Sequence, residues 1–276
     1  MKIREWLICP DCKVSLKYNK KLFKCEECKR KFKERNGILS LSSSFESYEW
    51  SRVDLPTLLG DRGRTYRDFY DFFENNEKIF QGNILEVGAD VSGISAIIKD
   101  RTKTKTVIAS DIAGNILEAA IKVTPLLGKK PDFIIQCDVE HLPFRDEIFD
   151  VVIGSSVLHH TNLPASIKEI SRVLKPNGFF ISLREPLGNI FTKPLYSRFF
   201  GARTCKTNIY SAFQYRKELK KNKFKEIKIT FYKNPRWMYP KLLDMVYYNL
   251  IKPLPHAVIE RMLLGKARII AKKGKA

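Results

Sequence analysis

The 276-residue chain has no run of 18 or more uncharged apolar residues, so no membrane-spanning helix is expected. The opening residues, MKIREWLICPDCK, hold no apolar run ahead of a small-residue cleavage site, and a secretory signal is not expected. A cytoplasmic location follows as the default expectation. Cysteine is scarce beyond residue 28, where only Cys137 and Cys205 remain of six. Acidic residues are also short, 30 against 50 Lys and Arg. That deficit is uneven. Residues 1–40 hold 12 basic and 5 acidic side chains, residues 41–183 hold 16 and 20, and residues 184–276 hold 22 and 5. The middle is an ordinary acidic body, and the two ends carry the whole excess of +20. Charge so placed points to a polyanion or an anionic surface, or else to solvated lysine-rich faces.

One loop is defined by what it lacks. In ILEVGADVSGIS, residues 84–95, Gly88 and Gly93 give G-x-x-x-x-G, yet Ile94 and Ser95 stand where a phosphate loop needs Lys and Ser or Thr. A dinucleotide fingerprint needs glycine where Asp90 stands. The loop therefore suits neither a nucleoside triphosphate nor a pyrophosphate.

The four clustered cysteines form CPDC and CEEC, that is Cys9, Cys12, Cys25 and Cys28. Doubled C-x2-C is the spacing of two zinc knuckles, each turn aiming two thiolates at one tetrahedral ion. The spacer KVSLKYNKKLFK reads as two short strands around YNKK, a hairpin that brings the knuckles together. So few residues cannot build a sufficient core, and Zn2+ would supply folding free energy. The alternative, two disulfides, does not suit a cytosolic chain. Gly37 in KFKERNGILSL ends the module with a turn, and SSSFES reads as a linker, which sets a zinc ribbon at 1–42. Such ribbons are structural or bind a partner or nucleic acid, and the residues do not choose.

The body alternates. RTYRDFYDFFENNEKIF places Tyr66, Phe69, Phe72, Phe73 and Phe80 at helical spacing. NILEVG is a strand, SGISAIIKD a helix with Ser92 as cap, TVIASD a strand and NILEAAIKV a helix. DFIIQCD and FDVVIGS are strands, and LPASIKEISRVL is a helix halted by KPNG before the strand GFFISLRE. Alternation with short connections means a parallel sheet covered by helices on both faces, a Rossmann-like doubly wound α/β fold. Ligands sit at the carboxyl ends of such strands. There stand Glu86 with Gly88, Asp111, Asp138 and Ser155. Asp111 lies where a dinucleotide fold places a carboxylate on vicinal ribose hydroxyls, and Asp138 can accept from an adenine amino group.

The stretch CDVEHLPFRDEIFDVVIGSSVLHHT…EISRVLKPNGFFISLREP closely resembles the class I S-adenosylmethionine-dependent methyltransferases of the type 11 family. The resemblance covers roughly 82–185, within a methyltransferase domain taken as 43–276 with family-specific insertions at 186–210 and 233–265. It implies that Glu86, Gly88, Ala89 and Gly93 form the cofactor loop. It also implies that Asp111 with Ile112 meets the ribose, Asp138 with Val139 the adenine, and Ser155 the methionine portion. S-adenosylmethionine has no pyrophosphate, so three glycines need not bare a helix N-terminus. The family loop is usually acidic-x-Gly-x-Gly-x-Gly, and Asp90 with one extra residue departs from it.

Methyl transfer needs orientation and exclusion of water from the protein. It needs a general base only where the acceptor must lose a proton. His159 and His160 in VLHHT, and Glu185 after the fifth strand, are the candidates; paired histidine is also a packing feature of the family at this turn. Beyond Glu185, SAFQYRKELKKNKF reads as a basic helix, KEIKITFY as a strand and KARIIAKK as a last strand, antiparallel at the sheet end. Between these strands, NPRWMYPKLLDMVYYNLIKPLPHAVIERMLL is apolar and broken by proline. It reads as a lid over an apolar acceptor, as an interfacial patch on anionic lipid, or as core and oligomer interface.

The expected function is methyl transfer to a small-molecule or lipid-linked acceptor, peripheral to the membrane in one form. An RNA base methyltransferase is the alternative, because zinc-ribbon arms on this fold resemble those of rRNA guanine methyltransferases and the basic ends suit a phosphate backbone. Against it, SSVLHH lacks an aromatic-acidic tetrapeptide and resembles the small-molecule members. A cofactor- or partner-binding protein without catalysis is the third reading.

Overall fold

The central strands are apolar on both faces, and this decides the architecture. Every residue of β5 (Asn83–Val87) is buried, and β6 (Thr106–Asp111), β7 (Phe133–Gln136) and β8 (Phe149–Ser155) are buried along nearly their whole length. Strands of this kind need cover above and below, which helices provide. The computed structural model describes residues 3–19, 22–42, 55–91, 93–188, 208–232, 253 and 265–275, with the backbone alone for 55–64. The SSSFES linker beyond Ser42, the Ser92 cap, Cys205 and most of the 186–210 and 233–265 insertions lie outside the described residues.

The helices are α1 (Ile3–Trp6), α2 (Leu55–Glu74), α3 (Gly93–Arg101), α4 (Gly114–Leu127), α5 (Leu163–Val173) and α6 (Ala212–Lys221). The amino-terminal arm adds β1 (Lys17–Asn19), β2 (Leu22–Lys24), β3 (Lys31–Arg35) and β4 (Ile38–Ser40). The carboxyl-terminal part adds β9 (Leu174–Leu187), β10 (Phe224–Phe231) and β11 (Gly265–Lys273). All join one sheet in the order β1-β2-β3-β4-β7-β6-β5-β8-β9-β11-β10. From β4 to β9 neighbouring strands run parallel, and β11 is antiparallel to both β9 and β10. The chain leaves β5 toward β6 and β7, then returns to β8 on the other side. The crevice at the carboxyl ends of β5 and β8 is thus the switch point, where open α/β sheets bind ligands.

Alternation along the strands divides the core. Ile84, Val107, Val151, Ile153 and Ile181 face α2 and α3, packing on Phe69, Phe72, Phe73, Phe80, Ile94 and Ile97. Leu85, Ile108, Ile135, Val152 and Phe180 face the other way, toward α5 and α6. That second cluster continues into the arm through Ile3, Leu7, Leu16, Phe23, Phe32, Leu39 and Leu41. The arm therefore shares the core of the body, which offsets its small size.

The body alternates strand and helix as expected, and the mostly parallel sheet has its antiparallel last strand. Three details differ. The last strand is interior, between β9 and β10, because its alternate Ala267, Ile269 and Ala271 are buried. Lysine-bearing β10, with Lys225 and Lys228 exposed, takes the edge, where charge discourages further strand pairing. Second, KPNG does not separate helix from strand: α5 passes directly into β9, and 175–178 form an irregularity against Phe149–Val151 with Asn177 left-handed. Third, the arm does not end at Gly37. Asn36 (φ 52°) and Gly37 (φ 78°) make the two-residue turn of a β3–β4 hairpin in which Arg35 faces Ile38. β4 then lies parallel to β7, with Ile38, Leu39 and Ser40 opposite Ile134, Ile135 and Gln136.

Candidate functional site

Four parallel strands deliver polar residues to the crevice. β5 ends at Val87, so Glu86 and Gly88 flank its carboxyl end. Glu86 is buried, and its Oε2 accepts from the Ser95 backbone N at 2.8 Å and from the Ser95 hydroxyl. It thereby satisfies one amide that the first turn of α3 leaves without a partner. Burial pushes its carboxyl up to about 8, with Ser95 opposing and Asp90 and Asp111 adding to the rise.

Gly88 has φ 61°, a region in which side chains are strained. A Cβ there would lie 2.4 Å from Val157 Cγ2, so the turn after β8 packs directly on this loop. Ala89 N donates to Ser110 O at 2.9 Å and fastens the loop to β6. Asp90, standing where a glycine is usual, holds φ 51°. The backbone demand that glycine would meet is thus still present, met by one of the residues that tolerate it. Gly93 opens α3, and a Cβ there would lie 2.3 Å from the Tyr66 ring of α2. Its lack of a side chain makes room for the Tyr66 ring.

Asp111 ends β6. Its Oδ2 accepts from Asp90 N at 2.9 Å and its Oδ1 from Ala113 N at 2.9 Å. Burial pushes it up to about 6 against those donors, with Asp90 adding to the rise. Among the described residues no lysine or arginine pairs with Glu86 or Asp111. Ile112 turns its carbonyl to the Gln136 amide, whose Nε2 donates at 3.0 Å. Asp138 follows β7 and caps the 3-10 turn Val139–His141, its Oδ1 accepting from Glu140 N at 2.8 Å. Val139 is buried against the core, and Ser155 closes β8 half-buried.

The three base candidates also come together. Glu185 is 0% exposed, and its Oε1 meets His159 N at 2.7 Å and His159 Nδ1 at 2.9 Å. Its Oε2 accepts from the Ser182 hydroxyl at 3.0 Å and the Val157 amide at 3.3 Å. Burial acts to raise its carboxyl, and the His159 contacts hold it below the usual range instead. A carboxylate so occupied braces the turn after β8. The proton shared with it sits on His159 Nδ1, which leaves Nε2 as the basic nitrogen. His160 is half-buried beside it, ring centroids 3.8 Å apart.

A bulge makes this possible. Ser182 pairs with Ile269 and Glu185 with Ala267, so two residues of β9 face one of β11, and Arg184 takes φ 53°. Three residues apart, Ser182 and Glu185 would otherwise lie on opposite faces; the bulge brings both to one face, where the Ser182 hydroxyl reaches Glu185. It sends Arg184 to the other face, where it pairs with Asp68 of α2.

At the far end of the sheet, the ligand atoms of Cys9, Cys12, Cys25 and Cys28 all lie within 4.8 Å of one another. Cys9 Sγ is 3.7 Å from Cys28 Sγ, and the cysteines are free. Zn–S bonds of about 2.3 Å in a tetrahedron put sulfurs about 3.8 Å apart, so the donor set fits one zinc ion. The separation does not fit a disulfide, about 2.0 Å.

Comparison with known proteins agrees with this geometry. Residues 85–182 match the methyltransferase domain family model. An uncharacterized chloroplastic methyltransferase of Arabidopsis thaliana is 27% identical over 187 residues, covering 57% of this chain and 52% of that protein. The chain thus spans about half the length of that relative. A malonyl-[acyl-carrier protein] O-methyltransferase of Geobacter sulfurreducens is 30% identical over 106 residues, 38% of this chain and 39% of that one. The methyltransferase complex of Haloferax volcanii with its Trm112 activator shares the fold at TM-score 0.55 and 14% identity, covering 79% of this chain and 94% of that one.

Proposed function

We propose that this chain, whose residues 85–182 belong to the methyltransferase domain family, moves a methyl group from S-adenosylmethionine to a small-molecule or lipid-linked acceptor. The observation that supports this most is the pair of carboxylates at the switch point, Glu86 and Asp111, both raised by burial and paired with no described cation. A cluster of that kind suits a ligand that brings hydroxyl donors and positive charge of its own. When bound, the cofactor supplies an electrophilic methyl on a sulfonium, so the reaction is an in-line displacement.

The protein's part is placement. Asp111 takes the ribose hydroxyls, Asp138 and Val139 the adenine, and Glu86, Gly88 and Ala89 shape the loop near the methionine portion with Gly93 and Ser155. Tyr66 lies over the start of α3 and helps exclude water from the crevice. For an acceptor that must lose a proton, Glu185 orients His159, and the His159–His160 pair holds the proton-accepting nitrogen at the rim. The four cysteines would hold a structural zinc ion, which their spacing fits.

RNA is the second reading, favoured by the exposed Lys17, Lys29, Arg30, Lys31, Lys33 and Arg35 of the arm. Anionic vesicles and a structured RNA separate the two. A log-linear loss of RNA affinity with log salt, without vesicle binding, supports RNA. Vesicle binding that partly survives salt supports a lipid-linked acceptor, because apolar contact is not screened. For the cofactor, S-adenosylhomocysteine raises the melting temperature and Asp111→Ala abolishes the shift. No shift at millimolar ligand with the native chain would end the enzyme reading.

A further inference from the structure

Beyond the β4–β7 pairing and the shared core, the arm makes two sets of polar contacts with the body, one at the end of β7 beside the cofactor crevice and one on the segment that leads into β8. Strand β4 supplies the first. Leu41 N donates to Gln136 O at 2.8 Å, and the Ser40 hydroxyl donates to Gln136 Oε1 at 2.9 Å. The same carboxamide donates from Nε2 to the carbonyl of Ile112 at 3.0 Å. Gln136 is 6% exposed, and the Ile112 carbonyl, which can only accept, fixes which way its amide points. The carboxamide also lies against the start of α4, about where a side chain on Gly114 would be, 3.1 Å from a Cβ there. One buried side chain therefore joins the arm to the 111–114 turn that carries Asp111.

The second contact comes from the first knuckle. Arg145 N donates to Trp6 O at 2.8 Å, and Ile8 N to Pro143 O at 3.0 Å. Arg145 Nε donates to Glu5 O at 2.7 Å, and Trp6 meets Phe149 edge to face at 6.2 Å. Lys13, the residue after Cys12, holds φ 58° and sends its ammonium to Glu169 Oε2 at 2.8 Å. These contacts fall on Pro143, Arg145 and Phe149, at the entry to β8, and on Glu169 of α5. The arm and the body also share one apolar core.

We propose that the arm is a built-in part of the cofactor site, with Gln136 as the positioning residue that sets the Asp111 turn from Ser40. The proposal rests on the cofactor reading above. Neither Ser40 nor Gln136 touches the ligand; each acts through the backbone at 111–113. Loss of one neutral hydrogen bond of this kind corresponds to about a fivefold change in an equilibrium constant.

The test is calorimetric binding of S-adenosylhomocysteine to the full chain and to Gln136→Leu and Ser40→Ala. Circular dichroism and metal content serve as controls for folding. The expected result is a dissociation constant about fivefold higher for Ser40→Ala and about tenfold higher for Gln136→Leu, with fold and metal retained. A structural role alone would weaken every ligand equally. The penalty is therefore also measured with 2′-deoxy-S-adenosylhomocysteine, for which it shrinks if Gln136 acts through the ribose contact of Asp111. Equal penalties for both ligands, or unchanged affinity in Ser40→Ala, overturn the proposal while leaving the cofactor reading intact. Should Gln136→Leu fail to fold, Ser40→Ala at a half-buried position decides alone. A native chain that binds neither ligand defeats the cofactor reading first and this proposal with it.

Discussion

Replacing Gly88 by alanine should destabilise the chain through two separable effects. At φ 61° any side chain pays for the left-handed backbone, about 1 kcal/mol. The new methyl would also sit 2.4 Å from Val157 Cγ2 and 2.7 Å from its Cβ, far inside contact distance. Pushing a half-buried valine aside in a packed turn costs about 2 kcal/mol more. Val157 has little room to retreat, because Gly154 lies on its other side and would itself meet Val157 Cγ1 at 2.9 Å if it bore a Cβ. Gly88→Ala should therefore lose about 3 kcal/mol by urea unfolding, read from midpoints at constant slope. Val157→Ala alone should lose about 1 kcal/mol from its deleted methyls. In the double variant the Cγ2 collision is gone while the Cβ of residue 157 still stands 2.7 Å from the new methyl, so a coupling of about 1 kcal/mol in the favourable direction is expected. Strict additivity would refute the claim that Val157 packing is what requires glycine at 88.

Three further outcomes follow from the geometry. The purified chain should hold about one zinc per chain, and Cys12→Ser should lose it; metal analysis of reduced protein finding none would contradict the four-thiolate site. Glu185→Ala should cost about 3 kcal/mol in denaturant unfolding, since it strands His159 and three other donors in the core, and a loss under about 1 kcal/mol would show the brace to be dispensable. Because Glu86 is raised from 4.5 to about 8 in the fold, it binds a proton more readily folded than unfolded. Its stabilising share is present below about pH 4.5 and is lost as pH rises through about 8, so Glu86→Gln should flatten the ligand-free stability profile across that window; a profile with the same slope as the native chain would contradict this.

The sequence was most informative where local pattern and tertiary role coincide. Apolar runs such as NILEV and FDVVIGS could only be strands covered on both faces, and the polar residue closing each had to lie at the carboxyl edge. The doubled C-x2-C spacing located the four-cysteine cluster for the same reason. The misses were pairings that no local window encodes. Asn36-Gly37 is a direct hairpin signal and could have revealed β3 and β4. That β4 then pairs with β7 depends on an edge formed by residues about a hundred positions away. Gln136 had a weaker signal, a polar residue ending the apolar FIIQ, but its partners Ser40 and Ile112 are visible only in three dimensions. Likewise Ser182 reaches Glu185 only through a bulge whose register a sequence does not show. Glu185 was legible as a polar residue at a strand end, while its saturation by four donors was not.

The most direct test of the central claim is calorimetric titration of the full chain with S-adenosylhomocysteine at several pH values. The account predicts one site per chain, with affinity highest above about pH 6. It should fall as pH drops through the raised Asp111 value of about 6, because the protonated carboxyl offers the ribose hydroxyls a poorer acceptor. No binding at any pH, or binding that Asp111→Ala leaves unchanged, would contradict it.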